Sequence, residues 1–135
     1  MKKKSMRIRS FRSCLIAALS VLGLNSACGQ ENFENADVNE FAELGADTNV
    51  VVLDVRTASE FAEGHLERAI SIDYHQSDFV EKAKATLSLD KKIAVYCRSG
   101  CRSAGAAAKL GEDGYKLVNL KGGIIAWKEA NMPVL

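Results

Sequence analysis

Two short runs, "VVVLDV" (residues 50–55) and "IAVY" (93–96), have no polar face. A strand with one side in water alternates polar and apolar residues. A strand that does not alternate belongs in a sheet covered on both sides, and such sheets are mostly parallel, with helices as the cover. The intervening segments supply those helices. Asp37, with Glu40 three residues on, forms a capping-box pattern that opens a helix through "VNEFAELGA" (38–46). "TASEFAEG" (57–64) predicts a short helix, and "QSDFVEKAKATLSL" (76–89) places Phe79, Val80, Ala83 and Leu87 near helical spacing. "SAGAAAKLGEDG" (103–114) is a small-residue helix ending at glycine, and "GGIIAWKEA" (122–130) closes the chain. "AISID" (69–73) and "KLVNL" (116–120) read as two further strands. Strands alternating with helices predict an α/β fold with a mainly parallel sheet, and 135 residues suffice for one such domain.

The charge is uneven. The net charge is +1, yet residues 1–27 hold six of the 18 Lys/Arg and none of the 17 Asp/Glu, so the rest carries twelve cations against seventeen anions, a net of −5. Basic character belongs to the leader, which removes the electrostatic support for nucleic-acid binding by the domain. The leader joins "MKKKSMRIRSFR" to the apolar run "CLIAALSVLGL" (14–24). Eleven residues are too few for a membrane span and suit a signal-peptide core. The following "LNSACGQ" resembles a bacterial lipobox with Cys28 as the lipidated residue, although Asn25 stands three positions before the cysteine, where leucine is usual, and Leu24 one position further back. The expectation is a signal peptide over 1–27, a polar tether over 28–36 and the domain over 37–135. The protein is then exported to the cell envelope or periplasm and lipid-anchored to a membrane through Cys28. Ordinary secretion with cleavage near Ala27 is the alternative.

With Cys14 discarded and Cys28 acylated, Cys97 and Cys101 are the domain's thiols. Two cysteines four apart make no disulfide framework, and with only His65 and His75 beside them they make no four-ligand zinc site. Their setting is "YCRSGCRS" (96–103). Cys97 follows the buried "IAVY" strand and so lies at the carboxyl edge of the sheet, where ligands bind in this architecture. A loop between a strand end and a helix start directs successive backbone N–H groups to one point, with the helix dipole behind them. Gly100 permits the curl, and Arg98 and Arg102 add positive charge. Such a nest stabilises an anion, and the anion at hand is the Cys97 thiolate.

"LDVRTASEFAEGHLERAISI", "AVYCRSGCRSAGAAAKL" and "LKGGIIAW", in that order, resemble a single-domain rhodanese, a sulfurtransferase. The resemblance spans 37–135 and implies a five-stranded, doubly wound, mainly parallel sheet with helices on both faces. It also implies that Cys97 carries a persulfide within a substrate-binding loop of Arg98, Ser99, Gly100, Cys101 and Arg102. A sulfane sulfur would pass from a donor such as thiosulfate through Cys97 to a thiol or cyanide, by covalent catalysis without cofactor or metal. The implied partners are a small sulfur donor and a thiol acceptor. Nucleic acid plays no part, the membrane is met only through the lipid anchor, and the chain is expected to be a monomer. Phosphatases and arsenate reductases of this fold place an arginine six positions after the cysteine. Here that position is Ser103, and Arg102 falls one earlier, so the ring of amides is too short for that pattern. Cys101 opens a second reading, a thiol–disulfide or persulfide relay with Cys97 in an oxidising compartment.

The remaining candidates read as structural. Asp54 and Arg56 end the "VVVLDV" strand at the Cys97 edge and are expected to organise loops by ion pairing. His65 precedes the "AISID" strand, so chain direction argues against a Cys–His dyad. His75 follows that strand, at an edge from which it could border the site, and reads as structural with the rest. Trp127 is expected to pack its helix on the sheet.

Overall fold

The computed structural model describes residues 32–135. The leader, Cys28 and the first part of the tether lie outside the described residues. Five strands, β1 (Glu34–Ala36), β2 (Val51–Asp54), β3 (Ile70–Ser71), β4 (Ile93–Tyr96) and β5 (Leu117–Leu120), form one sheet in the order β1-β5-β4-β2-β3. Every pairing is parallel. The helices are α1 (Val38–Ala46), α2 (Ala58–Glu63), α3 (Phe79–Thr86), α4 (Cys101–Glu112) and α5 (Gly123–Glu129).

The non-alternating runs occupy the centre, as their composition requires. All four residues of β4 are buried. Its side chains divide between two cores. Ile93, Val95 and Cys97 join Phe79 and Ala83 of α3 and Ala106, Ala107 and Leu110 of α4. Ala94 and Tyr96 join Phe41 of α1 and Ile124 and Trp127 of α5. Trp127 meets Phe41 edge-on at 6.2 Å and donates its indole N–H to the Pro133 carbonyl, which confirms its packing role. The capping box of Asp37 and Glu40 is formed in both directions, at 2.9 and 3.0 Å.

Several elements are shorter than the sequence reading, α3 within 76–89 and β3 within 69–73 most of all, and two further differences bear on the site. Residues 34–36, assigned to the tether, are β1 and supply the fifth strand, in register with Val118–Leu120. Only Ala36 of the three is buried, so the strand is made by backbone pairing with β5 and carries no apolar pattern of its own. Helix α4 begins at Cys101, two residues before the expected start. Just ahead of β1, Asn32 Nδ2 donates to the Ala108 carbonyl, and the absence of a side chain at Gly111 lets Asn32 lie against the C-terminal end of α4.

Candidate active site

The site is built where β4 stops. Tyr96 is the last strand residue, and Cys97 follows it at 1% exposure. Gly100 then adopts φ +112°, a left-handed conformation that favours glycine, and turns the chain into α4. The turn brings three donors onto one sulfur. Gly100 N–H lies 3.1 Å from Cys97 Sγ, Ser103 N–H 3.4 Å and the Ser103 hydroxyl 3.3 Å. Because α4 starts at Cys101, Ser103 belongs to its first turn, and the helix dipole lies behind the sulfur.

The start of α5 holds the loop from the outside. Ile124 N–H donates to the Cys97 carbonyl at 2.9 Å and Ile125 N–H to the Arg98 carbonyl at 3.2 Å. Occupying the loop carbonyls in this way leaves its N–H groups for the sulfur. Gly123 makes the approach feasible: its φ is +61°, and a Cβ there would overlap the carbonyl of Arg98.

The two arginines part company. Arg98 and Ser99 are exposed on the rim. Arg102 is half-buried and forms a two-pronged pair with Glu60, Nη1 to Oε1 at 2.9 Å and Nη2 to Oε2 at 3.0 Å. Hydrogen bonding from Arg102 lowers Glu60 from 4.5 to about 2, and the Thr57 cap of α2 adds to the effect. Pairing with Glu60 likewise raises Arg102, and the Cys97 charge acts in the same direction. Cys101 is exposed at the head of α4, and Cys97 is a free thiol, so no Cys97–Cys101 disulfide is formed.

Below the loop, Asp54 is fully buried and Arg56 nearly so. Arg56 Nη2 meets Asp54 Oδ2 at 2.7 Å and the Gly64 carbonyl at 2.7 Å, while the Tyr96 hydroxyl donates to Asp54 Oδ2 at 2.6 Å. Burial, with Asp54 at its hydroxyl, pushes the Tyr96 phenol above its usual range. Tyr96 in turn accepts from Leu66 N–H at 3.0 Å, so this cluster ties β2 and β4 to the segment leading into β3. The organising role expected of Asp54 and Arg56 is what the structure shows. His65 stacks on Phe61 at 3.8 Å and pairs its backbone with Leu135. His75 is exposed after β3 and makes a local bond to Asp73.

Three residues of the site escaped the sequence reading. Ser103, which supplies two of the three donors to Cys97, figured there only as the position where phosphatases carry an arginine. Glu60 announces itself only as the fourth residue of a Thr57–Glu60 capping box. Asn119 shows only as a polar residue inside an otherwise apolar strand, and its partner is the Ser103 hydroxyl at 2.5 Å.

Comparison with known proteins agrees with this fold. The model of the rhodanese-like domain matches residues 37–130. The chain belongs to the rhodanese-like family. A protein of Allochromatium vinosum named sulfurtransferase is 35% identical over 73% of this chain and 92% of its own length. The thiosulfate sulfurtransferase GlpE of Shewanella oneidensis is 30% identical over 74% of this chain and 97% of its own. Among solved structures, a rhodanese-related protein from Thermoplasma volcanium superposes with a TM-score of 0.69 at 35% identity, over 76% of this chain and 98% of that one. In this rhodanese-like domain the residue that follows β4 is a buried free thiol, Cys97. Among the described residues no cluster of His, Cys, Asp or Glu could hold a metal.

Proposed function

We propose that the protein is a sulfurtransferase that carries sulfur as a persulfide on Cys97. The observation that supports this best is the convergence of Gly100 N–H, Ser103 N–H and Ser103 Oγ on one buried sulfur. Thiolate on Cys97 attacks the outer sulfur of thiosulfate. A bond forms between that sulfur and Cys97 Sγ, and the sulfur–sulfur bond of thiosulfate breaks, its electron pair leaving on sulfite. A thiolate or cyanide then attacks the outer sulfur, and the electron pair of the Cys97 disulfide-type bond returns to Sγ. The donors around Sγ stabilise it as both nucleophile and leaving group. Arg98, exposed on the rim, is the cation placed to meet an anionic donor, while Arg102 contributes through its pair with Glu60. Turning Arg102 toward Glu60 also disfavours the phosphatase reading, in which an arginine clamps the oxyanion. The domain acts as a monomer in this reading.

The leader completes the proposal. It exports the protein, and acyl chains on Cys28 hold it to a membrane of the cell envelope. The central test is thiocyanate formation from thiosulfate and cyanide. Wild-type protein turns over, and Cys97→Ser, nearly isosteric, keeps its fold and loses activity at least a hundredfold, roughly the scale of losing a covalent nucleophile. A folded Cys97→Ser protein with activity near wild type removes Cys97 from this role.

A further inference from the structure

Asn119 is 4% exposed in a strand that is otherwise apolar. A polar group in such a place is costly unless its bonds are made. Its Nδ2 donates to Asn35 Oδ1 at 3.1 Å and to the Gly100 carbonyl at 3.4 Å. The Gly100 carbonyl can only accept, so it fixes the amide nitrogen on its side and leaves the amide oxygen facing Ser103. A reversed amide would set its oxygen against the Gly100 carbonyl. Asn119 Oδ1 has no proton, so its 2.5 Å contact with Ser103 Oγ is a hydrogen bond only when Ser103 donates. The same hydroxyl stands 3.3 Å from Cys97 Sγ and 3.1 Å from the Gly100 carbonyl. One proton faces three acceptors.

We propose that Asn119 is a positioning residue for sulfur transfer: its amide oxygen competes with the Cys97 sulfur for the single hydroxyl proton of Ser103. While Cys97 is a neutral thiol or carries an outer sulfur, Sγ is a weak acceptor and the proton lies toward Asn119. When the acceptor removes the outer sulfur, the electron pair of the broken bond stays on Sγ. The thiolate is then the strongest acceptor in reach, and the hydroxyl swings to it. Asn119 thereby sets how far the thiolate is stabilised, and with it the balance between leaving ability and nucleophilicity. The catalytic consequence rests on the sulfur-transfer reading; the competition itself is a property of the resting thiol.

The other charged or titratable groups around the loop are Arg102 with Glu60, the exposed Arg98, Lys121 and His75, and the buried Asp54, Arg56 and Tyr96. All are left in place by the test. The rate of alkylation of Cys97 by iodoacetamide is followed against pH, reading the Cys97 peptide by mass spectrometry. Asn119→Leu removes the competitor and lowers the midpoint by about one pH unit, the scale of one hydrogen bond to a charged group. Ser103→Ala raises the midpoint, and in that background Asn119→Leu has no further effect. A purely structural role gives the opposite sign, since a loosened loop loses its N–H donors and the midpoint rises. The proposal is overturned if Asn119→Leu raises the midpoint, leaves it unmoved, or lowers it equally without the Ser103 hydroxyl. If Asn119→Leu does not fold, the side-chain amide resonances of Asn119 decide. They follow the Cys97 midpoint in wild type and stay still in Ser103→Ala; invariance in wild type, or movement in both, overturns the proposal. Thiocyanate formation by wild type is measured alongside, so failure of sulfur transfer is seen separately from failure of the competition.

Discussion

At Arg102 both terminal guanidinium nitrogens are engaged by Glu60, and the consequence is a pH signature. Glu60 is held near 2 against an ordinary 4.5, chiefly by the hydrogen bond from Arg102. A depressed carboxylate contributes stability that is complete above its unfolded value and fades as the pH falls through its folded one. Glu60→Gln is therefore less stable than wild type at pH 7, and the gap narrows as the pH falls from about 4.5 toward 2. Urea denaturation at pH 7 and pH 3 checks the sign; a gap that widens in acid shows that the pair does not govern it. Arg98 has a different fate on the exposed rim. Arg98→Ala is expected to raise the KM for thiosulfate several-fold with little change in kcat, because a rim cation acts on donor capture. A fall in kcat at constant KM places Arg98 in the chemical step instead.

Among the elements, α5 does more than cover the sheet: its first turn grips the carbonyls of Cys97 and Arg98. Gly123→Ala meets both a left-handed φ and the Arg98 carbonyl, and is expected to cost on the order of 2 kcal/mol and to disorder the loop. The check is a lowered denaturation midpoint together with loss of turnover. A mutant as stable and active as wild type would mean that the loop relaxes freely. These same elements show what the chain discloses before folding. The capping box named α1, and the apolar runs named β2 and β4, because each is a local pattern. The end of "IAVY" placed Cys97 at the ligand edge, since strand direction alone settles it. β1 was not legible, because three residues with one buried side chain are a strand only by virtue of β5. Glu60 and Asn119 stayed hidden for the same reason: their partners lie 42 and 16 residues away in the chain and meet them only across packed elements.

At the scale of the whole molecule, the sheet's outer strand is also its entrance. A chain beginning at Asp37 lacks β1, loses three register pairs with β5 and strips Asn119 of Asn35. It is expected to be less stable than a chain beginning at Asn32, by about 1–3 kcal/mol for the lost pairing and burial of Ala36. Equal denaturation midpoints would show β1 to be decoration. Cys28→Ser is expected to release the mature protein from the membrane fraction; retention there would point to an uncleaved leader. The contact of Asn32 with the far end of α4 then acquires a directional meaning. All strands run the same way, so the chain enters at the pole where they start and Cys97 sits at the pole where they end. Helix α4, 12 residues and about 18 Å long, separates the two. With Cys28 acylated, the few residues to Asn32 reach at most about 14 Å, a leash too short for the domain to turn over freely. The mouth of the loop then looks out into the aqueous compartment with its back to the lipid. Donor and acceptor must arrive from solution, and a thiol sunk in the same bilayer is beyond its view.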